Sequence, residues 1–371
     1  MMKIVFRVDA SLRIGTGHIM RCLTLARELE RRGASCHFIC REFPCNLLHL
    51  IESKGFALSA LPYIQYKVAI EKKKYDDTTK HTSLLRCDWK VDAEQTISII
   101  TKLKPDWLVV DHYSLDKSWE SKVNSYVDYL MVIDDLADRA HICDLLLDQN
   151  LGRSFSDYSN LIPEDSLSLL GPEYALLRPE FSELRNYSMQ RRSAPQLNKI
   201  LVSMGGVDNL NSSGQVLNIL EVCNLPIDCQ VSIILGRHSP WIGKVQEATE
   251  RSKLNVRLFC DVTDMGQMLA DCDISIGAAG ITSWERACLG VPSLIVILAE
   301  NQRVGAIVLG DSGAAKLIGE PKDIEVNLPL LISEVKDQKT MIMMSNLAAN
   351  ITDGFGAKRV ADTMELVSSS E

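Results

Sequence analysis

The chain has eleven cysteines but no Cys-x-x-Cys pair, the spacing typical of structural zinc sites. Cys36, Cys40 and Cys45 stand near His37 and include the residue types of a metal site. Residues 36–40, however, fall in a predicted strand, where successive side chains point to opposite faces of the sheet. We therefore expect no metal and interpret most cysteines as reduced core residues.

No apolar run is long enough to cross a membrane. Residues 294–299 form the longest run near the C-terminal half, whereas a bilayer-spanning helix needs about 20 residues. Lys3, Arg7 and Asp9 interrupt the first apolar segment, which argues against a secretory signal. We therefore expect no membrane span and predict a cytoplasmic protein.

Blocks of basic residues with interleaved aromatics are also missing, and the formal net charge is −8. Both observations argue against nucleic acid as a partner. Apolar residues make up 46% and charged residues 24% of the chain, as in soluble globular proteins. A length of 371 residues favours two domains.

Short apolar segments alternate with helical patterns along both halves of the sequence. Predicted strands cover residues 3–8, 34–40, 57–61, 107–111, 129–133, 199–204, 230–235, 256–259, 274–276 and 293–297. Helices are predicted between them, including one over residues 92–102 that Asp92 caps. This alternation predicts an α/β fold of two Rossmann-like parallel-sheet domains that face each other across a cleft.

A stretch without apolar periodicity separates the two halves. We predict a linker over residues 186–198, between an N-terminal domain of residues 1–185 and a C-terminal domain of residues 199–371 that includes a C-terminal helix. The polar stretch at 65–90 interrupts the first alternation and is predicted to be a surface loop.

Gly15, Thr16, Gly17 and His18 lie where the first strand gives way to a helix. Glycines permit close approach of a ligand, and exposed N–H groups at a helix start attract anions. His18 would stand beside that ligand as a base, because imidazole titrates near neutral pH. The motif lacks the third glycine of the dinucleotide fingerprint and the Gly-Lys-Ser/Thr of a triphosphate loop. Helix capping or packing is therefore an alternative for His18.

A similar strand-loop-helix arrangement follows the predicted strand at 274–276. Its small and hydroxyl residues, which suit phosphate oxygens, are Gly280, Ile281, Thr282 and Ser283. Glu285 suits a sugar, because its carboxylate can accept hydrogen bonds from paired ribose hydroxyls. The alternative is that Thr282 or Ser283 caps the helix and Glu285 only interacts with its positive end.

Two further segments follow strands and open helices. Gly205 and Gly206 follow the first strand of the second half, and Asn301 and Gln302 follow the last predicted one. Each is weak evidence alone, and capping would explain Asn301 and Gln302 equally well. Taken together with His18, these helix starts predict a site for a nucleotide-diphosphate sugar.

The same residues resemble a known family. The likeness is carried by RVDAS at 7–11, IGTGHIMRCLTLA at 14–26, VDHY at 110–113, IDDL at 133–136, DQN at 148–150, LGPEYALLR at 170–178, SMGGVD at 203–208, GITSWE at 280–285 and ENQ at 300–302. These motifs resemble those of the UDP-2,4-diacetamido-2,4,6-trideoxy-β-L-altropyranose hydrolases of pseudaminic acid biosynthesis, and they cover almost the whole chain.

The resemblance implies a glycosyltransferase-B architecture, similar to the MurG-type glycosyltransferases, that uses water as the acceptor. It implies that the C-terminal domain holds UDP, that His18 is the base, and that UDP and the free sugar form with anomeric inversion. No cofactor and no metal are implied.

Four further polar residues of the first half are candidates for orienting the sugar or His18, namely Asp9, Arg13, Asp111 and Tyr113. Asp134 and Asp135 could suggest a metal, but consecutive residues at a strand end point apart. Two alternatives to the hydrolase stay open: a related glycosyltransferase with another acceptor, and a non-catalytic UDP-sugar-binding protein.

Overall fold

The computed structural model describes residues 1–9, 16–43, 46–64, 85 and 87–369. Arg13 and Gly15, Cys45 and most of the polar stretch at 65–90 therefore lie outside the described residues. The chain divides into two compact units. The first comprises Met1–Leu176 together with Ala357–Glu371, and the second comprises Leu177–Gly356.

The described part of the first unit contains one sheet of seven parallel strands. Its strands are β1 (Lys3–Val8), β2 (Ser35–Arg41), β3 (Ala57–Leu61), β4 (Trp107–Asp111), β5 (Tyr129–Ile133), β6 (Leu145–Asp148) and β7 (Leu167–Leu170). They are ordered β3-β2-β1-β4-β5-β6-β7. The strand order reverses between β1 and β4, and in open α/β sheets ligands bind at the carboxyl ends beside this reversal.

Helices cover both faces of this sheet, and so its strands are apolar on both sides. The helices of the first unit are Gly17–Arg31, Leu48–Ser53, Trp89–Leu103, Lys117–Val123, Phe155–Tyr158 and Gly356–Ser368, with 3-10 turns at Asn124–Tyr126 and Pro172–Tyr174. Phe6 of β1 faces one apolar cluster, and its neighbour Val5 faces the cluster on the other side.

The C-terminal helix Gly356–Ser368 packs on the first unit. Val360, Ala361 and Met364 are buried in the cluster that contains Ile4 and Phe6. The predicted C-terminal domain of residues 199–371 therefore ends too late. Apolar spacing predicts that a helix has a buried face, but it does not identify the sheet that the face covers.

The second unit contains a six-stranded parallel sheet in the residues that the structure describes. Its strands are β8 (Lys199–Ser203), β9 (Gln230–Leu235), β10 (Asn255–Cys260), β11 (Ile274–Ala278), β12 (Ser293–Val296) and β13 (Ala315–Gly319), ordered β10-β9-β8-β11-β12-β13. The order reverses between β8 and β11. Two Rossmann-like parallel-sheet units confirm the predicted fold class.

The helices of the second unit connect these strands and cover the sheet. They are Pro179–Arg191, Ser212–Leu220, Ile242–Arg251, Met265–Asp271, Thr282–Cys288, Arg303–Asp311, Ile324–Val335 and Gln338–Ala349, with 3-10 turns at Glu300–Gln302 and Pro321–Asp323. Throughout the described ranges, no helix is long and apolar enough to span a bilayer.

The predicted linker at 186–198 includes the end of the helix Pro179–Arg191, and the division between units falls earlier, after Leu176. Polar contacts hold this helix. Arg185 Nη2 donates to the carbonyl of Ala349 at 2.6 Å, and Arg192 Nη2 donates to that of Cys272 at 2.7 Å. Because arginines anchor the helix, its sequence shows little apolar periodicity.

Asp92 does not cap the helix over 92–102 as predicted. The helix begins earlier, at Trp89, and Asp88 caps it by accepting a hydrogen bond from the backbone N–H of Lys90 at 2.8 Å. Asp92 is buried in the helix and binds the guanidinium groups of Arg7 and Arg41 at 2.7 and 2.5 Å. Asp92, which the helical pattern places at the start of the helix, is thus a buried partner in two ion pairs.

Candidate functional site

His18 and Asp111 form a hydrogen-bonded pair at the reversal of strand order in the first unit. His18 is the second residue of the helix that follows β1, and Asp111 is the last residue of β4, level with Val8 of β1. His18 Nδ1 lies 2.6 Å from Asp111 Oδ1, and the two side chains are 9% and 1% exposed. The parallel register of β1 and β4 therefore brings together two residues 93 positions apart.

Arg21 holds Asp111 from its other side and links it to Asp135. Its Nε donates to Asp111 Oδ2 at 2.6 Å, and its Nη1 donates to Asp135 Oδ1 at 2.8 Å. Its Nη2 bridges the two carboxylates, at 2.7 Å from Asp111 Oδ1 and 2.9 Å from Asp135 Oδ2. One guanidinium thus fixes both carboxylates.

The hydrogens of Arg21 decide the tautomer of His18. Arg21 Nη2 also lies 3.2 Å from His18 Nδ1, but its two hydrogens are already directed at carboxylates. Nδ1 must then carry the imidazole hydrogen and donate it to Asp111. This leaves Nε2 with a lone pair, and Nε2 makes no hydrogen bond to the residues that the structure describes. His18 is therefore oriented to accept a proton.

The charges of this cluster keep Asp111 ionised. Burial opposes the ionisation of Asp111, but Arg21 and then His18 outweigh it and hold the pKa of Asp111 well below its usual range. The single cation of Arg21 stands against the carboxylates of Asp111 and Asp135. An imidazolium at His18 would balance the remaining negative charge, which is how a carboxylate supports a histidine base.

Tyr113 completes the cluster. Its hydroxyl donates to Asp135 Oδ2 at 2.9 Å, and its ring meets that of His18 edge-on with centroids 4.6 Å apart. Burial, together with the charge of Asp135, raises the pKa of Tyr113 well above its usual range. Tyr113 is therefore a neutral hydrogen-bond donor that restricts the imidazole ring.

Asp9 is enclosed by protein groups. Arg7 Nη1 and the backbone N–H of Arg41 donate to Asp9 Oδ1 at 2.6 and 2.7 Å, while His112 Nε2 lies 3.2 Å from Oδ2. Although burial opposes its ionisation, Arg7 and His112 hold the pKa of Asp9 below its usual range. These contacts favour a positioning role at the end of β1 over contact with a ligand.

In the second unit, Arg286 is buried under the loop that follows β11. Its Nη2 donates to the carbonyl of Ala278 at 2.7 Å and to Ser283 Oγ at 3.0 Å. Ser283 Oγ accepts this bond and so keeps its own hydrogen for another partner. Within the described chain, no carboxylate lies at ion-pairing distance from Arg286, and its Nε has no hydrogen-bond partner.

Such a guanidinium attracts an anion. Burial lowers the pKa of Arg286 to about 10, against the opposing charge of Glu285. Nη1 of Arg286 lies so close to Gly277 that a Cβ there would come within 2.3 Å of it. Gly277 therefore lets the guanidinium reach the carboxyl end of β11, where a buried cation without a counter-ion is costly.

Glu285 lies beside Arg286 and is 12% exposed. Arg178 Nη2 is 3.6 Å from its Oε1. Burial raises the pKa of Glu285 against the opposing effects of Arg178 and Arg286. Its carboxylate can accept hydrogen bonds from a pair of hydroxyls, as the sequence predicts.

The Gly205–Gly206 turn differs from the prediction. Gly205 has a φ of +88°, and a Cβ on Gly236 would come within 2.0 Å of the Gly206 carbonyl oxygen, so the loops after β8 and β9 pack closely. The next helix does not offer its N-terminus to a ligand, because Asp208 accepts the backbone N–H groups of Ser212 and Ser213, both at 2.9 Å. The Asp208 carboxylate therefore binds backbone N–H groups of the helix start that was predicted to bind a phosphate.

Gln302 lies close to the loop after β11, whereas Asn301 is exposed. Both belong to the 3-10 turn Glu300–Gln302. Gln302 Oε1 accepts from the backbone N–H of Leu298 at 3.1 Å, and its Nε2 lies 4.0 Å from the position of a Cβ on Gly280. The amide nitrogen of Gln302 is thus next to the small residues 280–283.

The structure groups the predicted residues in two places. His18, Asp111 and Tyr113 meet in the first unit beside Gly17, and Gly280, Ser283, Glu285 and Gln302 lie around the end of β11 in the second. Sequence reasoning missed Arg21, Asp135 and Arg286 as site residues. Helical spacing was an available signal for two of them, because Arg21 follows His18 by three positions and Arg286 follows Ser283 by three.

Comparisons with known proteins agree with the sequence resemblance, although no family model matches the chain. The chain is 26% identical to UDP-2,4-diacetamido-2,4,6-trideoxy-beta-L-altropyranose hydrolase of Campylobacter jejuni over 314 residues, which is 84% of this chain and 97% of that protein. The predicted resemblance to these hydrolases is confirmed.

Two other relatives match over smaller shares of their own length. An uncharacterised protein of Methanocaldococcus jannaschii is 22% identical over 306 residues, 81% of this chain and 57% of that protein. Spore coat polysaccharide biosynthesis protein SpsG of Bacillus subtilis is 29% identical over 150 residues, 40% of this chain and 43% of that protein. This chain thus matches about half of the length of each of these two proteins.

Solved structures share the fold along nearly the whole chain. MurG of Acinetobacter baumannii superimposes with a TM-score of 0.71 at 15% identity, covering 98% of this chain and 99% of that one. MnaA of S. aureus, solved with UDP, gives 0.64 at 12% identity, with coverages of 98% and 96%. The calicheamicin glycosyltransferase CalG4 gives 0.60 at 15% identity, with 98% of each chain covered. The fold is therefore of the glycosyltransferase type that these proteins share.

Proposed function

We propose that the protein hydrolyses a UDP-linked 2,4-diacetamido-2,4,6-trideoxy hexose to UDP and the free sugar, a step of pseudaminic acid biosynthesis. One observation carries the proposal: the His18–Asp111 pair leaves Nε2 of His18 as a proton acceptor at the reversal of strand order. The relative from Campylobacter jejuni, which covers most of the chain, supports the choice of substrate.

In the proposed reaction, His18 removes a proton from a water molecule as the water oxygen attacks the anomeric carbon. The bond between that carbon and the phosphate oxygen breaks, and its electron pair leaves with UDP. A single displacement of this kind inverts the anomeric configuration. Asp111 stabilises the imidazolium that forms, and Arg21 keeps Asp111 ionised and in place.

The second unit supplies the proposed contacts to UDP. Arg286 provides a buried positive charge for the diphosphate, and the Ser283 hydroxyl keeps a hydrogen to donate. Gly280, Ile281 and Thr282 lie beside them, where the loop after β11 ends and the next helix begins. These groups would stabilise the negative charge that grows on UDP as the bond breaks.

Glu285 is proposed to bind the ribose hydroxyls of UDP, with Gln302 and Asn301 as further polar contacts to the nucleotide. The Glu285 side chain is 12% exposed, and Arg178 Nη2 lies 3.6 Å from its Oε1, which is too far for a hydrogen bond. The carboxylate oxygens of Glu285 can therefore still accept hydrogen bonds from a ligand, which supports this assignment. Gly205 and Gly206 are proposed to contribute backbone contacts, since Asp208 already caps the helix that follows them.

We propose a reaction without a metal. Asp134 accepts from the backbone N–H of Ala137 at 2.8 Å, whereas Asp135 binds Arg21 and Tyr113. The two carboxylates are thus directed to different partners, and Arg21 already compensates Asp135. Charge on the leaving group is proposed to be met by Arg286 instead.

The direct experiment is to incubate the protein with the UDP-sugar in buffer made with ¹⁸O-labelled water and to follow the reaction by NMR and mass spectrometry. The proposal predicts UDP, free sugar labelled at the anomeric oxygen, and the inverted anomer as the first product. A product that forms only when another hydroxyl compound is added would identify a glycosyltransferase. Tight UDP binding with no turnover over hours would identify a binding protein.

A further inference from the structure

A phenol joins two buried carboxyl groups next to the His18 cluster. Tyr158 Oη lies 2.8 Å from Asp148 Oδ2 and 3.0 Å from Asp134 Oδ2. Asp148 ends β6, Asp134 follows β5, and all three residues have an exposed fraction of 0%. No part of the proposed reaction uses this group.

The hydrogens available do not suffice if both carboxyl groups are ionised. A phenol has a single hydrogen, so Tyr158 can donate to Asp134 or to Asp148 but not to both. The phenol oxygen and the oxygen of the remaining carboxylate would then face each other as two acceptors with no hydrogen between them, which costs free energy because both are buried away from water. A proton on one of the carboxyl groups removes the conflict, because a carboxylic acid donates to the phenol oxygen.

The surroundings identify Asp148 as the protonated partner. Burial opposes the ionisation of Asp134, but Arg139 and His141 outweigh it and hold the pKa of Asp134 below its usual range. Burial, and then the charge of Asp135, raise the pKa of Asp148 to about 7, against hydrogen bonds from Asn150 and Tyr158 and the charge of Arg153. Asp134 thus stays ionised, while Asp148 holds the proton below about pH 7.

Asn150 and Arg153 connect Asp148 to the candidate site. Asn150 Nδ2 lies 2.8 Å from Asp148 Oδ1 and 3.2 Å from the carbonyl oxygen of Asp135. Arg153 donates through Nε to Asp148 Oδ2 at 2.8 Å and through Nη2 to the same carbonyl at 2.9 Å. The backbone that Asp148 helps to hold is therefore that of Asp135, whose side chain binds Arg21.

We propose that Asp148 is a proton-holding positioning residue: its neutral form donates to Tyr158, Tyr158 donates to Asp134, and this chain keeps Asp135 in place for Arg21 and His18. Ionisation of Asp148 breaks the chain at the phenol. The positioning of Asp135 loosens when the proton leaves. The effect on turnover rests on the proposed hydrolase function, whereas the bound proton does not.

The test compares the wild type with Asp148→Asn, which keeps the shape of a neutral Asp148 but cannot ionise. A raised pKa in the folded protein means that the native state holds a proton that the unfolded state releases, so stability falls as the pH rises toward 7. We expect the thermal midpoint of the wild type to fall by about 3 °C or more between pH 6 and 8 because Asp148 ionises in this range. Asp148→Asn should lack that fall. Asp128→Asn, which removes an exposed carboxylate from the same unit, is the control and keeps the wild-type fall.

A second measurement needs no substrate. Infrared spectra of the wild type should show a protonated carboxyl band at pH 6 that disappears by pH 8.5 and that is missing from Asp148→Asn. If the hydrolase activity is present, its rate should decline above about pH 7 in the wild type and in Asp128→Asn but not in Asp148→Asn. The same fall in thermal midpoint for all three proteins, or no carboxyl band at pH 6, overturns the proposal even if UDP release is observed. Failure of UDP release with the band present contradicts only the proposed function.

Discussion

His18 Nδ1 lies 2.6 Å from Asp111 Oδ1, so the imidazole donates its hydrogen to the carboxylate and turns its lone pair at Nε2 away from it. This pairing depends on Arg21 Nη2, the guanidinium nitrogen nearest to the imidazole, because both of its hydrogens face carboxylates and neither can be donated to His18 Nδ1. The tautomer that a general base requires is thus fixed by residues from β4 and from the helix after β1.

Replacing Asp111 with Asn should remove activity while leaving nucleotide binding unchanged. The amide can donate to His18 Nδ1 and so favours the wrong tautomer, and it cannot balance an imidazolium. We expect kcat to fall on the order of 100-fold or more. Initial rates of UDP release measure kcat, and calorimetric titration with UDP is the control. An Asp111→Asn protein with wild-type turnover would remove Asp111 from the mechanism.

Replacing Arg286 with Met should weaken the binding of UDP but not of uridine. The substitution removes a charge-assisted contact to the diphosphate, for which about 1.5–3 kcal/mol, or roughly 10- to 100-fold in Kd, is typical. Calorimetry with both ligands separates the phosphate contribution from that of the nucleoside. Arg251→Met changes an exposed arginine that pairs with Glu247 in the same unit, and it should leave both affinities unchanged.

Equal losses for UDP and uridine in Arg286→Met would instead indicate a disturbed fold. The thermal midpoint of the free protein distinguishes this case. Arg286 has no carboxylate counter-ion among the described residues but donates to the Ala278 carbonyl and to Ser283, so its replacement by methionine should lower the midpoint only through the loss of these hydrogen bonds, which is worth about 1–3 kcal/mol.

Asp92 and Asp88 should differ in their contributions to stability. Asp92→Ala leaves Arg7 and Arg41 buried with one fewer carboxylate, and we expect a loss of about 3–5 kcal/mol in the free energy of unfolding. Asp88→Ala removes only a helix cap, for which about 1 kcal/mol is typical. Urea unfolding followed by circular dichroism measures both. Similar losses for the two variants would contradict the buried ion pairs of Asp92.

Stability of the first unit should decline as the pH falls below about 4, near the pKa of carboxyl groups in unfolded chains. Asp9, Asp92 and Asp111 have pKa values below their usual range in the folded protein, where ion pairs outweigh burial. A depressed pKa contributes stability above the unfolded value and loses it as the pH falls through the folded value. Urea midpoints between pH 3 and 7 should show this trend, and Asp111→Asn should show a shallower one.

Apolar alternation is enough to predict most of the fold, because a buried parallel strand such as β5 is a continuous run of apolar residues. It does not reveal β6, β7 or β13. β6 and β7 have four residues each, and they lie in loop-rich sequence. The sheet on which the C-terminal helix packs could not be predicted either, since the spacing of Val360 and Met364 indicates only that one face of the helix is buried.

Residues of the candidate site could be predicted where polar or titratable side chains lie at or just after the end of a strand. His18, Asp111 and Tyr113 were found in this way, and the structure brings them together. Arg21 and Arg286 were missed because a charged residue inside a helix is ordinarily on the surface, and only the folded contacts show that both are buried. The capping of Ser212 and Ser213 by Asp208 was likewise invisible in the sequence pattern.

The role of His18 as the base is tested most simply by the rate of UDP release from a His18→Asn protein. Asn retains an amide hydrogen for Asp111 but has no group at the position of Nε2, so orientation is kept and the base is lost. We predict UDP release in the wild type and a rate lower on the order of 100-fold or more in His18→Asn, with UDP affinity unchanged. A His18→Asn protein that releases UDP at the wild-type rate would exclude His18 as the base.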